Sequence, residues 1–173
     1  MAFSATSAAR VFAVVVADPD ARVRMRLSTL LASEHLAPSF DSIEAASAYA
    51  RELGSAAVLV AGPGFANALG MEHLQRFLLD HPSCSAVLVS EELTTQVLQQ
   101  ALRAGARDVL TMGTVDSQLS VAVNRVGDMM ATLTTHYVAA GATQDVEPGR
   151  LIVSFSTKGG VGKSTIATNL SAG

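Results

Sequence analysis

The chain has 173 residues, a length that suits one domain with a short additional segment. Apolar residues make up 49% and charged residues 16%, a composition that excludes an intrinsically disordered chain. Because Trp is absent and aromatic residues make up 5%, the core is expected to be aliphatic. A net charge of -3 argues against a general nucleic-acid binder, and the single cysteine excludes an internal disulfide framework. No apolar run approaches the ~20 residues of a transmembrane segment, so a cytoplasmic protein is expected. Only two basic side chains are lysines, Lys158 and Lys163.

Short apolar runs alternate with helical patterns from residue 11 to about 136. The first run, 11–17, is continuous and β-branched and precedes the turn signal Asp18-Pro19-Asp20, which is typical of a buried parallel strand. The same cycle repeats and predicts five strands at 11–17, 36–40, 56–61, 85–90 and 107–111. Because strands that alternate with helices form right-handed crossovers, we expect an α/β fold with a parallel sheet covered on both faces.

Capping and turn residues mark the predicted ends of the helices. Asp41 followed by Glu44 is a capping-box pattern, which opens a second helix that Gly54 ends. The third helix is predicted to end before Pro82 and the fourth at Gly105.

The fifth helix is predicted to be longer than the others. Its apolar residues are spaced alternately by four and three, as in a heptad seam: Val115, Leu119, Ala122, Val126, Met129 (or Met130) and Leu133. The first half is expected to pack on the sheet. The half beyond about Arg125 either continues that packing or extends to another subunit or the next domain. We predict a homodimer with a seam through Val126, Met129 and Leu133.

The sequence after the fifth helix changes in character. Residues 139–149 are small and polar with Pro and Gly, as in a linker, and an apolar run at 151–155 predicts a new strand. A glycine-rich run follows and can direct backbone N–H groups at a di- or triphosphate, with Lys163 on the β- and γ-phosphates and Ser164 on Mg²⁺. The predicted cofactor-binding residues are Lys158, Gly159, Gly160, Val161, Gly162, Lys163, Ser164 and Thr165.

This run resembles the deviant Walker A motif of the ParA/MinD superfamily of dimerising ATPases, because Lys158 precedes the paired glycines. The resemblance implies that Lys158 reaches the partner's nucleotide across a dimer, and that the intact protein uses ATP and Mg²⁺. Phosphoryl transfer also needs acidic and water-positioning groups, which in this superfamily lie far downstream. Eight residues follow Thr165. Residues 150–173 are therefore expected to be the start of an ATPase domain, with neither hydrolysis nor bound nucleotide in these 173 residues alone.

The first 136 residues resemble a response-regulator receiver domain. The resemblance rests on VVVADPDARVRMRLSTLL (14–31), on the strand that ends in Ser90 and on ALRAGARDVL (101–110). It implies a flavodoxin-like fold with the sheet order 2-1-3-4-5. The receiver-like domain is predicted to span 11–136, between a disordered segment 1–10 and a linker 137–149.

The residues that give a receiver its chemistry are largely missing. A working receiver has an acidic pair after strand one, a phospho-accepting Asp at the end of strand three, a Ser or Thr after strand four and a Lys after strand five. Here Asp18 matches one residue of the acidic pair, and Ser90 matches the Ser or Thr after strand four. Ala61 is found at the end of strand three instead of the phospho-accepting Asp, and Met112 is found after strand five instead of the Lys. Phosphotransfer from a histidine kinase is therefore not expected. Asp18 and Asp20 are interpreted as helix caps and Ser90 as a cap or loop hydroxyl.

The remaining residues with chemical potential show no functional pattern. The histidines lack metal-ligand spacing and are expected at surface or boundary positions: His35, His73, His81 and His136. Cys84 is expected in a loop without a matched His.

A receiver without its phosphorylation chemistry, joined by a linker to a ParA/MinD-like P-loop, resembles the TadZ/CpaE family of bacterial Flp (tight adherence) pilus assembly. The resemblance implies a localisation or scaffolding factor at a cell pole or on the inner face of the membrane. Its partners would be proteins of the pilus secretion machinery, and ATP would control its dimerisation. Two alternatives remain open: a ParA/MinD-type protein for septum siting or DNA partition, and a signalling receiver that is phosphorylated.

Overall fold

The computed structural model describes the backbone of residues 12–141 and the side chains of residues 12–132. In this part of the chain, strands and helices alternate: β1 (Ala13–Ala17), α1 (Ala21–Leu31), β2 (Ser39–Phe40), α2 (Ile43–Leu53), β3 (Ala57–Ala61), α3 (Ala68–Asp80), β4 (Cys84–Ser90), α4 (Thr95–Ala104), β5 (Asp108–Thr111) and α5 (Val115–Gly141). A 3₁₀ turn, Pro63–Phe65, precedes α3. All five predicted strands are present, with ends shifted by up to three residues. The predicted segment 1–10, residues 142–149 of the predicted linker 137–149 and the P-loop strand lie outside the described residues. The first five residues of that predicted linker belong to α5.

The five strands form one parallel sheet in the order β2-β1-β3-β4-β5. Ala17 at the end of β1 pairs with Ala61 at the end of β3, and Ser90 at the end of β4 pairs with Thr111 of β5. The predicted α/β, flavodoxin-like topology is confirmed. It brings the carboxyl ends of four neighbouring strands to one edge of the sheet, where open α/β sheets bind their ligands.

Both faces of the sheet are buried, which explains why the central strands are continuous apolar runs rather than alternating ones. Val15, Leu59 and Leu88 face a layer formed by α2, α3 and α4. Val14 and Val58 face a second layer formed by α1 and α5. Each fully buried side chain of this size stabilises the fold by about 1.5–3 kcal/mol.

The helix ends follow local capping chemistry. Gly54 and Gly105 adopt left-handed backbone angles at the ends of α2 and α4, as predicted. The predicted start of α2 is wrong by one residue, since Ser42 and not Asp41 is the N-cap. The Ser42 hydroxyl accepts the Ala45 N–H at 3.3 Å.

The last helix is the longest, as predicted, but its seam belongs to the domain core. Val126 is 2% exposed and Met130 is also buried, both within the layer formed by α1 and α5. The helix therefore packs on its own domain as far as Met130, beyond the predicted point of departure at Arg125. Val126 cannot present its side chain to a second subunit. Met129 is exposed, and the side chain of Leu133 lies outside the described residues.

Candidate functional site

The candidate site is the edge of the sheet at the carboxyl ends of β1, β3, β4 and β5. The topology brings Asp18, Ala61, Ser90 and Met112 to this edge, as the receiver resemblance predicts. Asp20 lies beside it as the N-cap of α1, where its carboxylate accepts the Arg22 N–H at 2.8 Å. The capping interpretation is therefore confirmed for Asp20.

Asp18 is not a helix cap but a link between two loops. Asp18 is buried, with 1% of its surface exposed. One carboxylate oxygen accepts the Asp20 N–H at 2.7 Å, and the other accepts the Gly64 N–H in the loop after β3 at 2.9 Å. Both oxygens thus bind backbone donors within the protein. These two hydrogen bonds join the loops after β1 and β3 at the edge of the sheet.

The loop after β3 is shaped to receive this carboxylate. A Cβ atom at Gly62 would overlap with the Asp18 side chain, and one at Gly64 would overlap with the ring of Pro19. Glycine at both positions lets the two loops approach closely. Sequence reasoning missed this role, although the Gly62-Pro63-Gly64 run was visible as a loop signal.

The position at the end of β3, where the receiver resemblance predicts the phospho-acceptor, is buried. Ala61 is fully buried at the end of β3, between Ala17 of β1 and Leu88 of β4. Its methyl group offers no atom that could accept a phosphoryl group, and it belongs to the apolar layer that packs on α2, α3 and α4. The described residues hold no group of three or more His, Cys, Asp or Glu side chains that could bind a metal ion.

Ser90 and Met112 complete this edge of the sheet. The buried Ser90 hydroxyl donates to the Glu92 carbonyl at 3.0 Å and lies 3.4 Å from the Leu110 carbonyl. It therefore fastens the loop after β4, in agreement with its interpretation as a loop hydroxyl. Met112 is partly buried against the layer of α1 and α5, so an apolar side chain occupies the place of a charged lysine.

Two histidines were predicted at surface or boundary positions and are instead buried, namely His35 and His81. The His35 Nε2 atom lies 2.9 Å from Asn124 Oδ1 on α5, and the Asn124 amide donates to Glu34 at 2.7 Å. Because a carboxylate only accepts, this chain of contacts places the proton of His35 on Nε2. His81 Nε2 lies 2.7 Å from the Ser47 hydroxyl.

His73 and Cys84 make contacts within the domain. His73 contacts the Glu44 carboxylate at 3.0 Å, and the side chain of His136 lies outside the described residues. Cys84 was predicted in a loop and is the buried first residue of β4. Burial raises the pKa of the Cys84 thiol above its ordinary value, which lowers the fraction of reactive thiolate.

The predicted phosphate-binding residues, Lys158 to Thr165, all lie outside the described residues. Their assignment to ATP and Mg²⁺ stays a prediction. Within the described part of the chain, none of the helices is long and apolar enough to cross a membrane.

The fold and the edge of the sheet define a receiver-like α/β domain without a phospho-accepting carboxylate. Among solved structures, the chain is similar to a pilus assembly-related protein of Burkholderia pseudomallei, with 21% identity and a TM-score of 0.61 over 68% of this chain and 90% of that one. It is similar to the pilus assembly protein CpaE of Burkholderia thailandensis, with 22% identity and a TM-score of 0.58 over 68% and 98%.

Response regulators share the same fold. A response regulator of Thermotoga maritima has 14% identity and a TM-score of 0.60 over 67% of this chain and 97% of that one. At these identities the likeness shows the fold alone. No protein-family model and no curated protein matches the sequence.

Proposed function

We propose that the described domain is a protein-interaction module that is not phosphorylated, and that it serves as a localisation or scaffolding factor in the assembly of a bacterial pilus. The first part is supported by the side chains at the edge of the sheet. The Asp18 carboxylate accepts two backbone N–H groups that join the loops after β1 and β3, and the Ala61 side chain has no atom that could accept a phosphoryl group. What the fold retains is a rigid sheet with helical surfaces, which suits binding rather than catalysis.

The pilus role has support from the comparisons. Two pilus-related structures share the fold at 21% and 22% identity, and receiver domains share it at up to 19%. The predicted Walker A run after the receiver-like domain is what favours the pilus role over a signalling receiver. The proposal places the protein in the cytoplasm, at a cell pole or on the inner face of the membrane.

The proposal also includes the predicted second domain. The deviant Walker A run, with Lys158 as its signature lysine, would bind ATP and Mg²⁺ in the intact protein and control homodimerisation. The corresponding expectation for the 173-residue chain is that it does not turn ATP over. Release of inorganic phosphate from ATP by this chain would contradict that expectation.

Phosphorylation is tested with acetyl phosphate and Mg²⁺ on the full chain, followed by intact-mass spectrometry. We expect no added phosphoryl mass under conditions that label the Thermotoga response regulator run in parallel. A phosphoryl group on any residue from 11 to 136 would overturn the proposal in favour of a signalling receiver.

The pilus role is tested by deleting the encoding gene and measuring pilin on the cell surface. We expect loss of surface pilin with normal cell division and normal DNA inheritance, and recovery when the gene is supplied again. Minicells, or loss of plasmid or chromosome copies with pilin unchanged, would instead support the ParA/MinD-type alternative.

A further inference from the structure

The outer face of α1 carries apolar side chains that nothing in the described domain covers. Met25 on α1 is 71% exposed and Leu36, in the segment after it, is 95% exposed. A groove of about 670 Å³ runs between α1 and residues 35–39, and a second depression of about 400 Å³ lies along the other side of Met25. We call these residues the α1 surface; it comprises Arg22, Met25, Ser28, Thr29, Leu36 and the small residues between them.

The same surface is a basic region on an acidic domain. Three of the eight arginines between residues 12 and 132 lie in α1, and no Asp or Glu falls within the helix. No carboxylate lines either the groove or the depression. Arg24 donates to the backbone carbonyls of Asp18 and Pro19, and Arg26 pairs with Asp116. The Arg22 guanidinium forms no ion pair or hydrogen bond among the described residues.

The floor of the groove has the shape and chemistry of a contact surface. Small side chains line the groove, so that another backbone could approach α1 closely; they are Ala21, Ala32 and Ala37. The Ser28 hydroxyl is a buried atom in its lining and has no hydrogen-bond partner within the described part of the chain. The eleven residues of α1 give a surface about 16 Å long, enough for roughly three turns of a second helix.

We propose that the α1 surface binds an acidic amphipathic helix of a partner protein. Apolar side chains of that helix would cover Met25 and Leu36, and its carboxylates would meet Arg22 at the rim. A second copy of this chain is disfavoured as the occupant, because a two-fold contact would pair α1 with α1, and α1 has no carboxylate to meet its arginines. The inference rests on the proposed function only in that the domain acts by binding proteins.

The test uses the full chain and a designed helical peptide with leucine at i, i+3, i+4 and i+7 and glutamate on both flanks, followed by fluorescence anisotropy. Two comparison peptides carry lysine in place of glutamate, or the same residues in scrambled order. We expect the acidic helix to bind at least about tenfold more tightly than either, because like charges oppose the basic helix and the scrambled one lacks an apolar face.

Variants locate the binding site. Arg22→Glu and Leu36→Gln should each weaken binding of the acidic helix by about tenfold, because each removes one anchor of the surface. Arg103→Glu and Leu102→Gln change an exposed arginine and an exposed leucine on α4 and are the matched controls, expected to stay within about twofold. Equal binding of all three peptides, or equal losses in the α4 variants, would overturn the proposal.

Other occupants are excluded by parallel measurements. Binding of vesicles with anionic phospholipid that Arg22→Glu abolishes, without binding of the acidic helix, would replace the proposal with a lipid-binding surface. A dimer in sedimentation that Leu36→Gln dissociates would replace it with self-association. These results are distinct from a failure of the proposed function, because phosphorylation of the domain by acetyl phosphate is measured separately.

Discussion

The edge of the sheet and the α1 surface use their side chains in opposite ways. At the edge, Asp18 is buried and both carboxylate oxygens accept backbone N–H groups. The two loops pack so closely that a Cβ atom at Gly62 would overlap with the Asp18 side chain. On the α1 surface, Met25 and Leu36 are exposed and the Arg22 guanidinium has no partner among the described residues. At the edge of the sheet, the Asp18 side chain makes contacts within the protein. The region that remains open is an apolar and basic surface.

This difference leads to different expectations for substitutions in the two regions. A carboxylate that binds Mg²⁺ directs an oxygen lone pair at the ion, whereas Asp18 directs its two oxygens at backbone N–H groups of two loops. Restoring single receiver residues should therefore damage the fold rather than return the chemistry. Substitutions on the α1 surface should leave the fold intact.

Ala61→Asp is expected to have the largest effect, since it places a carboxylate at the phospho-acceptor position. Ala61 is fully buried, and Asp18 already occupies the adjacent loop. An unpaired buried charge should lower the free energy of unfolding by about 3 kcal/mol or more. The measurement is urea denaturation followed by circular dichroism, with the midpoint and slope fitted separately.

Ala61→Asn is the matched control, because it adds the same volume without the charge. It should cost about 1–3 kcal/mol from overpacking, less than the Asp variant. Equal losses in the two variants would show that size alone limits this position. A stable Ala61→Asp protein that acetyl phosphate labels would contradict the expectation that single receiver residues do not return the chemistry.

Gly62→Ala should have the next largest effect. The added Cβ would overlap with the Asp18 carboxylate and disturb its hydrogen bond to Gly64, so a loss of about 1–3 kcal/mol in unfolding free energy is expected. Gly113→Ala is the control, since a Cβ there meets nothing closer than 3.8 Å and should change stability little. Similar losses at both glycines would argue against a specific contact between the loops after β1 and β3.

The sheet was predictable because its signals are local and repeated. The apolar run 56–61 predicts a buried strand from its own residues, and Gly54 and Gly105 mark the ends of α2 and α4 in the same way. The start of α2 was predicted one residue early because Asp41 and Ser42 can both accept a backbone N–H, and only the backbone angles of the folded chain select Ser42.

The contacts of the site were less predictable, because they join residues far apart in the chain. That Ala61 cannot accept a phosphoryl group is evident from its side chain. That the Asp18 carboxylate accepts from Gly64 depends on a loop more than forty residues away. The burial of Val126 was missed for a related reason. A heptad-like seam looks the same whether it faces the protein's own sheet or a second subunit.

The smallest effect is expected on the α1 surface. Leu36→Gln and Met25→Gln replace side chains that are mostly exposed, so each should change the free energy of unfolding by less than about 0.5 kcal/mol. Leu27→Ala, on the buried face of the same helix, is the comparison and should cost about 2–5 kcal/mol. Urea denaturation of the three variants in one buffer provides the measurement. If Leu36→Gln lowered the free energy of unfolding by more than about 1 kcal/mol, Leu36 would stabilise the domain itself. The proposed contrast between the edge of the sheet and the α1 surface would then be wrong.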